Sequence, residues 1–131
     1  MSGFVFAEGA GGLEFVGDFD GFYRAEADPW SQSGQSGAMR AYYRDSRGRL
    51  VQAIRRLGVG SAFEVGCGHG FVTALLDREL SGQVVGMDIS TEAISRAREI
   101  HPDCQFIVGD ITSIDRKVVP IRQFDCVLWG Q

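Results

Sequence analysis

Glu64-Val65-Gly66-Cys67-Gly68-His69-Gly70 is the stretch on which the reading of this chain turns. The short apolar run Ala62-Phe63-Glu64-Val65 leads into it. Phe71, Leu75, Leu76 and Leu80 leave it at the spacing of a helix's apolar stripe. A strand, a glycine turn and a helix in that order are the opening unit of a parallel α/β sheet. Glycine serves such a turn because the backbone there takes unusual angles, and because a ligand can approach the main chain only where no Cβ intervenes. A lone G-x-G-x-G is weak evidence of a site, since glycine turns occur in many α/β proteins.

Downstream the pattern repeats. Gln83 to Ile89 reads as a second strand broken only by Gly86, and Ser90 is placed to cap the helix that follows. Glu92 falls in that helix's first turn, where a negative charge meets the positive end of the dipole. Ala93, Ile94, Ala97 and Ile100 face inward, and His101-Pro102 ends the helix. Cys104 to Val108 is a third strand, residues 111 to 122 an irregular connection interrupted by Pro120, and Phe124 to Trp129 a fourth strand. The fold class is therefore α/β: a Rossmann-like parallel sheet flanked by helices, with four strands present. A doubly wound sheet needs more strands on its second side, so the sequence reads as a piece of a longer protein or one that another chain completes. The fourth strand is then an apolar edge through which the chain would self-associate.

Upstream, three stretches differ in character. Residues 1 to 20 are rich in glycine, with scattered Phe and acids, and read as a flexible arm. Asp28-Pro29-Trp30 and the Ser/Gly residues up to Gly37 form a loop, after which the first helix is expected. Met39, Tyr43, Leu50, Val51, Ile54 and Leu57 recur at helical spacing and Gly58 supplies the stop, giving an amphipathic cover helix whose arginines form a solvated face. Met39, Tyr42 and Tyr43 are read first as core. The expected organisation is an arm over 1–20, a loop and cover helix over 21–58, and the nucleotide-binding unit over 59–131.

Composition bounds the function. A charged share of 23% and a net charge of -4 leave no basic field for a nucleic-acid backbone. Three cysteines at long, unequal spacing argue against a disulfide framework, and Cys67 with His69 is the only short pair that a metal could use, so no metal is expected. No apolar run reaches the roughly 20 residues that span a bilayer, which makes the cytoplasm the expected compartment.

Two acids give the glycine turn its meaning. Asp88 closes the second strand, where a carboxylate can accept both hydroxyls of a ribose. Asp110 follows Gly109 at the end of the third, where it or Ile111 would meet an adenine edge. Either acid alone would read as a helix cap; with the glycines they read as ligands. His69, in the loop itself, reads as a solvated or capping residue rather than a base.

These residues resemble the class I S-adenosylmethionine-dependent methyltransferases. Residues 64–70 look like that superfamily's glycine-rich loop, Gly86-Met87-Asp88-Ile89-Ser90 like its ribose-binding strand end, and Gly109-Asp110-Ile111 like its adenine-contacting segment. Phe124 to Leu128 is similar to the strand that leads to the reacting groups. The resemblance spans residues 59–131 and implies S-adenosylmethionine as the cofactor, held by Glu64, Gly66, Cys67, Gly68, Gly70, Asp88, Ile89, Asp110, Ile111 and Trp129. Residues 23–43 also resemble the N-terminal cover of nodulation-type N-methyltransferases that act on sugar amines. That likeness adds Tyr23, Trp30 and Tyr43, whose aromatic faces would attract a sulfonium. Trp129-Gly130-Gln131 stands where amine-modifying members carry Asn/Asp-Pro-Pro-Tyr/Phe, which disfavours a nucleobase amine and points to a small-molecule acceptor.

A nicotinamide-dependent oxidoreductase is the nearest rival. Its fingerprint wants glycine where Phe71 stands, and Glu64 suits an ammonium better than a pyrophosphate. A donor-binding module without activity of its own is the third reading. For the first, the expected chemistry is in-line displacement of an already activated methyl group, which needs positioning and exclusion of water rather than a triad or metal.

Overall fold

The structure, a computed structural model, describes residues 4–34, 37–114, 119 and 121–130. Its centre is a four-stranded parallel sheet made by β3 (Ala62–Val65), β4 (Val84–Asp88), β5 (Gln105–Val108) and β6 (Cys126–Trp129). Ahead of them lie a hairpin of β1 (Phe6–Gly9) and β2 (Gly12–Phe15) and two helices, α1 (Phe19–Ala25) and α2 (Gly37–Leu57). Helices α3 (Phe71–Glu79) and α4 (Thr91–Ile100) connect the sheet strands. Spatial order is β5-β4-β3-β6, so the chain winds outward from β3 through β4 to β5 and then returns to pair on the other side of β3. The reversal falls at the carboxyl end of β3, where open α/β sheets bind their ligands.

Alternation along the strands sorts the side chains into two layers. Ala62 and Val84 pack with Ile54 of α2 and Leu76 of α3, while Ile94 and Ala97 of α4 meet Cys67 and Phe106. Phe63, Val65, Val85 and Met87 point to the opposite face, where Ile107, Ile111, Ile114, Ile121 and Phe124 cover them. The connection between β5 and β6 is irregular in its described part, with a single 3-10 turn over Ile121–Gln123; Pro120 lies outside the described residues. Gly86 is where helix and sheet approach most closely. A Cβ there would lie 2.5 Å from Thr73 Oγ1 and 3.1 Å from the Cys67 Cβ. Gly86→Ala is therefore expected to cost about 2 kcal/mol, read as a lower denaturation midpoint with an unchanged slope.

The N-terminal arm is the main departure from the sequence reading. Residues 6–15 pair as a hairpin, with Gly9 opposite Gly12 and the positive φ of Gly12 closing the turn. Gly9, Gly11 and Gly12, part of the composition that suggested looseness, are the turn residues. Val16 and Asp18 then donate to the Val5 and Phe4 carbonyls at 2.9 and 2.7 Å, which fastens the hairpin to the start of α1. Helix α1 itself precedes the loop where the first helix was expected to follow it. Asp18 caps it by accepting from Gly21 N at 2.9 Å. Tyr42 also departs from its reading: it is exposed, whereas Tyr43 is buried. Helix α2 otherwise starts and stops where the spacing and Gly58 place it, Gly58 taking a φ of 66°.

Candidate functional site

At the end of β3 the chain turns through Gly66, Gly68 and Gly70, with φ of 74°, 54° and 80°, angles that side chains with a Cβ adopt only with strain. Both Gly66 N and Cys67 N donate to Met87 O, which binds the loop to the end of β4. Gly70 sits at the N-cap of α3 with no side chain to spend on it. The loop's opposite wall is Gly130, whose N donates to Val65 O at 2.6 Å.

Asp88 ends β4 pointing back at that loop. Its Oδ2 accepts from Gly68 N at 2.8 Å and its Oδ1 from Ser90 N at 2.9 Å. Burial raises its pKa, while those two amides pull it the other way. Each oxygen keeps a lone pair, so the carboxylate can still accept a pair of vicinal hydroxyls. Ser90 caps α4 as its position predicts, accepting from Ala93 N.

Around these groups lies a cleft of about 230 Å³. Gly66, Asp88, Ile89, Gly109, Asp110 and Ile111 form its floor and one wall, and Phe19, Tyr23 and Trp30 from the N-terminal segment form the other. The structure thus brings together the residues read as ribose, adenine and cover contacts. Asp110 is tied to Thr112, accepting from its N and Oγ1 at 2.8 and 2.7 Å, so the carboxylate is held in place at the mouth. Gly68, Cys67 and Gly70 shape the loop from behind: Cys67 is buried, and burial pushes its thiol up out of the range of a nucleophile.

A second cavity of about 190 Å³ meets the first at Gly130. Glu64, Tyr43 and Trp129 line it, together with Arg47, Ser46 and Phe71. Glu64 is almost fully buried and its Oε2 accepts from Thr73 Oγ1 at 2.6 Å; burial raises its pKa to about 7. Arg47 reaches in from α2, stacking its guanidinium 4.5 Å above the Tyr43 ring and donating to Gln32 O. Its Nε is buried with no hydrogen-bond partner among the described residues. Trp129 stands at the rim, largely exposed.

Arg47, Gln32 and Phe19 were missed by sequence reasoning. Arg47 had been grouped with the wet face of its helix, yet it stands one turn beyond Tyr43 on the apolar side of the wheel, a position that signals it. His69 also corrects its reading: it is buried rather than solvated, because the cover closes on it. Gln32 Oε1 accepts from His69 N at 2.8 Å, the Tyr23 ring centroid lies 5.1 Å from the imidazole, and Asp28 Oδ1 is 3.8 Å from Nδ1.

A nucleoside-sized cleft at a strand-order reversal, floored by glycines and closed by a buried acid, marks a nucleoside-cofactor domain. Residues 62–131 match the family model described as Methyltransferase domain, and the chain belongs to this family of class I S-adenosylmethionine-dependent methyltransferase domains. It is 37% identical over 65 residues to trans-aconitate 2-methyltransferase of Escherichia coli, a match that covers 49% of this chain and 24% of that protein. The chain thus spans about a quarter of the length of that relative. Among solved structures, an S-adenosylmethionine-dependent methyltransferase of Clostridium acetobutylicum superposes with a TM-score of 0.60 at 16% identity, covering 82% of this chain and 43% of that one. An S-adenosylmethionine-bound amino pentose methyltransferase of Micromonospora echinaspora gives a TM-score of 0.57 at 23% identity, covering 73% and 42%. These likenesses establish the shared fold. S-adenosylmethionine is the cofactor of the family, and the site fits it: a buried acid with free lone pairs that can accept a diol, and beside it a second cavity carrying an acid and a guanidinium. No helix among the described residues is long and apolar enough to cross a membrane.

Proposed function

We propose that this chain is the donor-binding part of a methyltransferase acting on a small-molecule acceptor. The carrying observation is the pair of cavities that meet at Gly130, one closed by Asp88 and the other by Glu64 and Arg47. In this reading Asp88 holds the ribose, Ile89, Asp110 and Ile111 the adenine, and Gly66, Gly68 and Gly70 give the backbone approach. Glu64 and Arg47 take the ammonium and carboxylate of the amino-acid end, charges of the right sign at the right end of the cleft. Cys67 and Trp129 bound the passage, and Tyr23, Trp30 and Tyr43 belong to the cover. Bound S-adenosylmethionine supplies a methyl group already activated by its sulfonium, which the acceptor's nucleophilic atom takes in line, leaving S-adenosylhomocysteine.

The chain's own residues then have three tasks. Gly66 and Gly130 keep side chains out of the place where the two cavities meet, so the donor chain runs along their backbones. Asp88 fixes one end, Glu64 and Arg47 the other, so the reacting carbon is positioned rather than chemically assisted. Phe19, Tyr23 and Trp30 keep water from the cleft. A small acceptor is supported by the absence of a basic field and by Trp129-Gly130 in place of the amine-modifying sequence. Two of the chain's relatives, a trans-aconitate and an amino pentose methyltransferase, are consistent with it. Self-association would use β6, one of the sheet's two edge strands among the described residues, where Trp129 and Val127 are exposed.

Titration calorimetry tests the donor reading. S-adenosylhomocysteine is expected to bind the full chain in the micromolar range, and NAD to give no heat. Heat with NAD alone would turn the assignment to the oxidoreductase. Donor binding without methyl transfer to any acceptor by the longer protein would leave the binding module.

A further inference from the structure

The chain's two histidines meet behind the glycine-rich loop. His69 is 2% exposed, and the His101 ring, at the end of α4, hydrogen-bonds the His69 backbone. Both Nε2 atoms are buried with no hydrogen-bond partner among the described residues. His101 is wedged edge-on against Phe71, with centroids 5.0 Å apart. Neither imidazole lines the donor cleft, so the methyl-transfer reading leaves both unused.

His69 touches the cover, and His101 backs it from the end of α4. Residues 18–34 are pinned from several sides: Asp20 Oδ1 accepts from Ser90 Oγ and Glu92 N, Arg96 donates to the Glu26 and Ala27 carbonyls, Tyr43 and Arg47 of α2 donate to the Trp30 and Gln32 carbonyls, and the loop at Asp28 closes on His69. Asp28 organises that loop, accepting from Gln32 N, Ser33 N and Ser33 Oγ. With its oxygens so engaged, it stands 3.8 Å from His69 Nδ1, too far for a hydrogen bond.

We propose that His69, backed by His101, forms a proton-operated latch: as a neutral imidazole His69 lets residues 18–34 close over the donor cleft, and its protonation releases that segment. The inference rests on the donor-cleft reading above. Every charged neighbour can be weighed. Asp28 from the cover and Asp88 from β4 favour an imidazolium at His69, whereas Arg96 and His101 from α4 oppose it, and the Tyr23 ring of α1 shields it from water. Arg78 from α3 opposes a charge on His101. Desolvation outweighs the attraction at both rings, and each pKa is lowered from its ordinary value. Opening the cover returns His69 to water, where it accepts a proton readily. Acid therefore favours the open state, and neutral pH the closed one.

Trp30 on the cover and Trp129 at the cleft rim are the chain's only tryptophans, so their fluorescence reports release of bound S-adenosylhomocysteine in stopped flow. In full-length chain carrying Glu64→Gln, which removes the other titrating group of the site, release is expected to be about fivefold faster at about pH 5.5 than at about pH 7.5. Adding His69→Asn and His101→Asn should flatten that response. Proton NMR of the unsubstituted chain needs no variant: the His69 imidazole midpoint should fall further when S-adenosylhomocysteine is added. A release rate indifferent to pH, a response that survives loss of both histidines, or a His69 midpoint unmoved by the ligand would each overturn the latch. Failure to bind S-adenosylhomocysteine at neutral pH overturns the donor reading as well, and so is told apart from failure of the latch alone.

Discussion

Asp88→Ala is expected to abolish measurable binding of S-adenosylhomocysteine, a loss of at least about a hundredfold in affinity. Two losses combine. The ribose loses its charged acceptor, and Gly68 N and Ser90 N lose the oxygens they donate to at 2.8 and 2.9 Å. The second loss frees the glycine-rich loop, so the donor must reorder it on binding. Asp88→Asn should recover little, because an amide offers one acceptor where the structure has two N–H groups facing the two oxygens. Circular dichroism should still show a folded chain, since Asp88 lies at the end of β4 and not in its hydrophobic layers. Calorimetry showing the Ala variant within threefold or so of the parent would remove Asp88 from the site.

Glu64→Gln is expected to have two effects of opposite sign. Burial holds the Glu64 carboxyl at about 7 in the folded chain, above its ordinary 4.5. The unfolded chain ionises first as pH rises, so this group's cost to stability is absent below about 4.5 and complete once pH has passed about 7. The ligand-free variant should therefore be more stable than the parent at pH 8, by about 2 kcal/mol, and equal to it at pH 4. Donor affinity should move the other way, about thirtyfold weaker, because the ammonium loses its counter-charge. In the parent, affinity should rise with pH through about 7, as the carboxylate that binding requires becomes available; in the variant that part of the rise should vanish, leaving only the smaller dependence of the histidine latch. Urea titrations at both pH values and calorimetry across the range check the two halves separately. A parent whose affinity ignores pH would show that Glu64 does not face the ammonium.

The sheet was legible because each of its signals is local. Val65 to Phe71 carries strand end, turn and helix start within seven neighbouring residues, and Ser90 and His101 punctuate α4 from its own ends. The cover was poorly legible for the converse reason. Helix α1 has seven residues, too few for a 3.6-residue period to show, and only Asp18 announces it. Its placement depends on partners far along the chain: Asp20 on Ser90, Gln32 on His69, Arg96 on Glu26. Nothing in the composition of residues 18–34 marks those contacts. The same separation hid the burial of His69 and the inward turn of Arg47, since both are decided by a segment that the pattern around them does not mention.

Asp20 meets its partners Ser90 and Glu92 across 70 and 72 positions of sequence. During synthesis from the amino terminus, those partners are made long after Asp20 itself. Until α4 has left the ribosome, the newborn N-terminal segment has no surface on which to settle, and its Phe and Trp side chains stand in water. A segment made well ahead of its partners thus waits on them to find its seat.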